Sequence, residues 1–75
     1  MVRPTRVTNS IRALRFAAGE MTQADLAQRI GVTRQTVIAI EQGRYSPSLE
    51  MAFQIARALG VPLDEVFDYP AEEQQ

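Results

Sequence analysis

Within residues 23–41, QADLAQRIGVTRQTVIAIE, apolar and small residues recur at intervals that suit two short helices meeting across a tight turn. Leu26 and Ile30 stand four apart and share one face of the first helix. Val37 and Ile40 stand three apart on the second. Ala27 leaves room where the two backbones approach. Gly31 can adopt the positive φ that turns a chain at a helix C-terminus, and Val32 follows it as an apolar anchor. Such a corner leaves the polar start of the second helix pointing outward.

The flanking segments read as an arm, three further helices and a tail. Residues 1–8 lack periodicity and contain Arg3, Pro4 and Arg6, which predicts a flexible or extended basic arm. A first helix is expected over residues 9–18, capped by Asn9 or Thr8 and ended by Gly19. Its inward stripe is set by Ile11 and Leu14. Phe16, Ala17 and Ala18 are available to extend it, and Met21 closes the corner. Thr22 and Asp25 have capping-box spacing at the start of the second helix, and Thr33 is the natural N-cap of the third, which stops near Gly43. Tyr45, Ser46 and Pro47 form a connection. The fourth helix is capped either by Ser48 or by Ser46 with Pro47 at its first position. Within it Leu49, Ala52, Phe53, Ala56 and Leu59 recur at helical intervals until Gly60. Pro62 opens a short fifth helix through Phe67, with Leu63, Val66 and Phe67 turned inward. Residues 70–75 form an acidic, weakly ordered tail. No repeat and no strand of more than a few residues is visible.

This order of segments, and several phrases within it, resembles the phage-repressor family (Cro and lambda-repressor-like, XRE). The phrases are Ile11-Arg12-x-Leu14-Arg15, Ile40-Glu41-Gln42-Gly43, the PSLE at residues 47–50, and the run from Ile55 to Val61. The resemblance covers residues 10–67. It implies an all-α, compact five-helix lambda-repressor-like DNA-binding domain at residues 9–69, with a helix-turn-helix formed by helices 2 and 3. In that architecture the second helix of the motif lies in the major groove of DNA.

Composition excludes other classes. There is no cysteine and no histidine, so disulfides, thiolate nucleophiles, Cys/His zinc sites and imidazole acid–base chemistry are out of reach. No nucleophile–base spacing or glycine-rich phosphate loop appears, and neither enzymatic activity nor a metal or other cofactor is expected. Lacking any long apolar run, the chain is expected to be soluble and cytoplasmic, nucleoid-associated when DNA-bound, without membrane contact. The net charge of −1 is low for a nucleic-acid binder, but it is unevenly spread. Residues 1–44 carry seven arginines against three carboxylates, +4; residues 45–75 carry Arg57 against six, −5. A polarised chain of this kind can turn a basic face to phosphate.

If helix 3 is the reader, Arg34 can pair with O6 and N7 of guanine and Gln35 with N6 and N7 of adenine. Thr33 and Thr36 can reach phosphate, or in the case of Thr36 a thymine methyl. Val37 and Ile38 are neighbours and cannot both face the core. Ile38 is assigned a structural place and Ala39 a groove-facing one. The resemblance implies phosphate contacts for Gln23, at the first position of helix 2, and for Arg44, Tyr45 and Ser46. It also implies an ion pair between Arg15 and Glu41 that orients the reader helix. Arg12 can approach phosphate or remain solvated, Arg29 and Arg57 are surface charges, and Arg3 and Arg6 could enter a minor groove. The function expected is a sequence-specific DNA-binding regulator, a repressor acting on double-stranded DNA as a homodimer at a palindromic operator. Its dimer contact is placed between helices 4 and 5 or at residues 66–69. The competing reading is an antitoxin-like or adaptor module that uses the same fold to hold another protein.

Overall fold

The computed structural model describes residues 5–71; Arg3, within the expected arm, and residues 72–75 of the tail lie outside the described residues. Five helices follow in chain order: α1 Ile11–Ala17, α2 Gln23–Ile30, α3 Arg34–Glu41, α4 Leu49–Leu59 and α5 Leu63–Val66. Two short strands frame them, β1 Thr8–Asn9 and β2 Phe67–Asp68. They pair antiparallel, with Thr8 opposite Asp68 and Asn9 opposite Phe67. Beside this ladder the Ser10 N–H donates to the Val66 carbonyl at 2.9 Å.

Local chemistry sets the helix ends. Thr22, Thr33 and Ser48 each accept a hydrogen bond from the backbone N–H three residues on, which satisfies one of the four orphan donors of a helix start. Ser48, rather than Ser46 with Pro47, therefore caps α4. Gly31 and Gly60 stop α2 and α4 with φ of 75° and 74°, a region where a β-carbon is disfavoured. At α1 the expected start moves two residues: Ser10 is the N-cap, and the Asn9 side chain accepts from the Ile11 N–H at 3.1 Å. Phe67 leaves α5 for β2, though it still packs on the core.

Every helix contributes to one core. Its most deeply buried side chains are Ile11 from α1, Leu26 from α2, Val37 and Ile40 from α3, Ile55 from α4 and Val66 from α5. Burying a side chain of this size stabilises by about 1.5–3 kcal/mol. Three large residues expected on the core stripes lie outside it. Phe16 is 72% exposed, Leu49 70% and Phe53 54%, because α1 and α4 each face the core along a narrower stripe than their apolar content allows. On α4 that stripe is Ala52, Ile55, Ala56 and Leu59. Ala17 and Ala18 are exposed as well.

The α2 cap has a pH signature. Asp25 N–H donates to the Thr22 hydroxyl at 2.9 Å, and the Thr22 N–H donates back to the Asp25 carboxylate at 3.2 Å. The Thr22 backbone N–H, then its side chain, and more weakly the charge of Arg29, hold the Asp25 carboxyl below its ordinary value of 3.8. A group depressed in the folded state adds stability above its unfolded pKa, and this is lost as pH falls through the folded one. Asp25→Asn is therefore expected to lower the denaturant midpoint at neutral pH, with the gap to wild type narrowing in acid as pH falls through the lowered folded-state pKa. Midpoints that stay equally far apart into strong acid would show that the carboxylate is not the source.

Candidate nucleic-acid interface

α3 is an eight-residue helix whose two sides differ sharply. Val37 and Ile40 are buried, while Arg34 and Gln35 are exposed in its first turn. Thr33 locks that turn: its hydroxyl accepts from the Thr36 N–H at 3.2 Å and lies 3.0 Å from the Thr36 hydroxyl. Arg34 and Ile38 are four apart, as are Gln35 and Ala39, so they form two adjacent rows on the helix surface. Ile38 and Ala39 are both half-buried. The helix start carries partial positive charge, which favours a negatively charged partner there.

A network at the other end of α3 holds it against α1 and α2. Arg15 Nε donates to Glu41 Oε2 at 2.7 Å and Arg15 Nη2 donates to Glu41 Oε1 at 3.2 Å, a bidentate pair. Arg15 Nη1 donates to the Met21 carbonyl at 2.8 Å, just before the α2 cap. Gln23 Nε2 donates to Glu41 Oε1 at 3.1 Å. The Arg15 and Glu41 side chains are only 13% and 10% exposed, so this pair is largely removed from water. The Gln23 amide is thus turned inward through its nitrogen. Asn9 adds a link for which the sequence carries no signal. Its Nδ2 donates to the Ile40 carbonyl at 3.0 Å, which also accepts from the Gly43 N–H, and to the Glu41 carbonyl at 3.4 Å, so it ties β1 to the last turn of α3.

The candidate residues divide between two areas. Arg12, Arg15, Gln23 and Arg34 line one concave face between α1 and the starts of α2 and α3, joined by Thr22 and by Phe16 at its rim. Phe16 is the residue sequence reasoning misplaced here, because helical spacing alone admitted it to the core stripe. Thr33, Gln35, Thr36, Ala39, Arg44, Tyr45 and Ser46 do not line this face. Arg44, Tyr45 and Ser46 follow α3 and are exposed, Tyr45 by 40%. The Ser46 hydroxyl is hydrogen-bonded to the Thr5 hydroxyl, so the segment before β1 runs against the α3–α4 connection. Among the described residues no group of His, Cys, Asp or Glu could hold a metal ion, and no helix is long and apolar enough to cross a membrane.

Two helices at a glycine corner, the second braced from behind and presenting arginine and glutamine, define a DNA-binding helix-turn-helix domain. The chain belongs to the helix-turn-helix family, of the XRE type, whose model matches residues 11–66. It is 51% identical over 57 residues to an uncharacterized HTH-type transcriptional regulator of Methanocaldococcus jannaschii, spanning 76% of this chain and 86% of that one. It is 37% identical over 59 residues to the cryptic phage CTXphi transcriptional repressor RstR of Vibrio cholerae, spanning 79% of this chain but 52% of the repressor. Among solved structures, the hypothetical transcription factor NHTF from Neisseria superposes with a TM-score of 0.67 at 33% identity, covering 73% of this chain and 61% of that one. The protein is a transcriptional regulator with a helix-turn-helix domain.

Proposed function

We propose that this regulator is a sequence-specific repressor that binds a palindromic operator as a homodimer. α3 enters the major groove, where Arg34 and Gln35 read base edges and Thr36 and Ala39 lie against the groove wall. Thr33, Gln23, Arg44, Tyr45 and Ser46 take phosphates and fix the register. One reader helix touches few bases, and two helices set one DNA turn apart, about 34–36 Å, double the readout. Occupied operators exclude polymerase, in keeping with the repressor RstR among the relatives.

The observation that carries this reading is the exposed Arg34–Gln35 pair on a helix braced by Arg15, Glu41 and Gln23. Exposure of that pair favours DNA over a purely protein-holding role. Selection of bound duplexes from a random pool is the test. Two inverted half-sites with centres about 10–10.5 base pairs apart are expected. Affinity for the selected duplex is expected to fall about a thousandfold or more between roughly 50 and 200 mM salt. A pool that emerges without sequence preference would remove the operator from the account.

A further inference from the structure

The exposed side of α4 carries a pattern that is its own complement. Glu50, Phe53 and Arg57 lie along one groove that continues to Val61, Pro62 and Leu63 at the start of α5. Phe53 is 54% exposed, and Leu49, one turn before it on the same side, is 70% exposed. Among the described residues neither the Glu50 carboxylate nor the Arg57 guanidinium has an ion pair or hydrogen bond. Glu50 and Arg57 are seven residues apart, about 10.5 Å along the axis, with Phe53 and Gln54 midway between them. A two-fold axis crossing the helix at that midpoint places each Glu50 opposite the other copy's Arg57. It also brings the two Phe53 side chains together at the centre.

We propose that this face of α4 is the dimer surface, paired antiparallel with a second copy of itself through Phe53 and two Glu50–Arg57 contacts. An isologous interface requires residue i to meet residue j and j to meet i, and this row of charges meets that condition. An apolar centre flanked by charge also matches the usual division of an interface into a dry core and polar rim. The pairing rests on the two-fold assembly proposed above and names the surface that makes it.

Sedimentation equilibrium of the full chain over a concentration series tests it. Wild type is expected to show a monomer–dimer equilibrium. Glu50→Arg and Arg57→Glu each set like charges opposite one another at two symmetric places, and each is expected to weaken dimerisation at least about tenfold. The double variant Glu50→Arg, Arg57→Glu restores opposite pairs in swapped order and is expected to return to within about threefold of wild type. Helix-dipole effects run the other way: Glu50 in the first turn and Arg57 in the last both favour α4, so the double variant is the least helix-stabilised of the set. Recovered association therefore cannot come from recovered stability. Phe53→Ser, with far-ultraviolet circular dichroism as the check on folding, is expected to abolish the dimer. A chain that stays monomeric up to about 1 mM, or single reversals that leave association intact, overturns the proposal. If the reversals act as expected but the selected DNA is not palindromic, the operator reading fails while this surface stands. If the site is palindromic and the reversals are silent, the surface fails alone.

Discussion

Glu41→Ala is expected to lower the unfolding free energy by about 3 kcal/mol, the low end for breaking a buried ion pair, since water still reaches its edge. The substitution strips Arg15 of both carboxylate oxygens and Gln23 of its acceptor, leaving a largely buried guanidinium held only by the Met21 carbonyl. In a domain of this size that loss moves the thermal midpoint down by about 12–24 °C. The double variant Arg15→Met, Glu41→Leu separates charge from packing. Replacing both partners of a buried pair with apolar residues is often neutral, so it is expected to recover most of the midpoint. DNA affinity in that recovered variant then reports whether the pair also orients α3. Calorimetry on the three proteins decides the first point; a midpoint within about 4 °C of wild type for Glu41→Ala would deny the pair its structural role.

The second large effect concerns recognition. Arg34 is exposed in the first turn of α3 and makes no side-chain hydrogen bond or ion pair among the described residues, so Arg34→Ala is expected to leave the thermal midpoint nearly unchanged. A bidentate arginine–guanine contact contributes about 1–3 kcal/mol of discrimination, and two half-sites double it to about 2–6 kcal/mol. The ratio of affinities for the selected duplex and a scrambled one should fall accordingly. Arg34 also borders the concave face that holds Arg12, where phosphate could take it instead. The two roles have different signatures. Loss of a phosphate contact weakens all sequences alike and flattens the salt slope by about one, while loss of a base contact erodes preference at one position. A uniform loss would move base reading onto Gln35.

Relations within one helical turn were legible in the sequence. The Thr22–Asp25 box, the Thr33 cap and the stops at Gly31 and Gly60 are each fixed by residues no more than a few positions apart, where side-chain chemistry and backbone geometry act directly. The turn between α2 and α3 was legible for the same reason, and the family phrases extended it to five helices. What distant partners decide was not. Leu49 and Phe53 fit the helical period as well as Ile55 does, and only the placement of the other helices determines which row meets the core. Two-residue strands have no period to detect, so β1 and β2 left no mark. The same holds within the site. Asn9 reads as a local cap, and its bonds to carbonyls more than 30 positions away follow from how the chain closes. For Gln23 the resemblance implies a phosphate contact at a helix start, and nothing local announces the bond from its amide nitrogen to Glu41, 18 positions on.

That closure has a bearing on how the protein is made. β1 finds its partner only when Phe67 and Asp68 exist, close to sixty residues later. Asn9, within the same seam, also grips the last carbonyls of α3. A nascent chain leaving the ribosome could assemble the α2–α3 corner early, through contacts near in sequence. The seam beside Asn9 can form only after Phe67 and Asp68 have been translated. The α2–α3 corner would thus precede the fastening of α3 to the β1–β2 seam, leaving a half-built copy with its corner in place and its clasp undone.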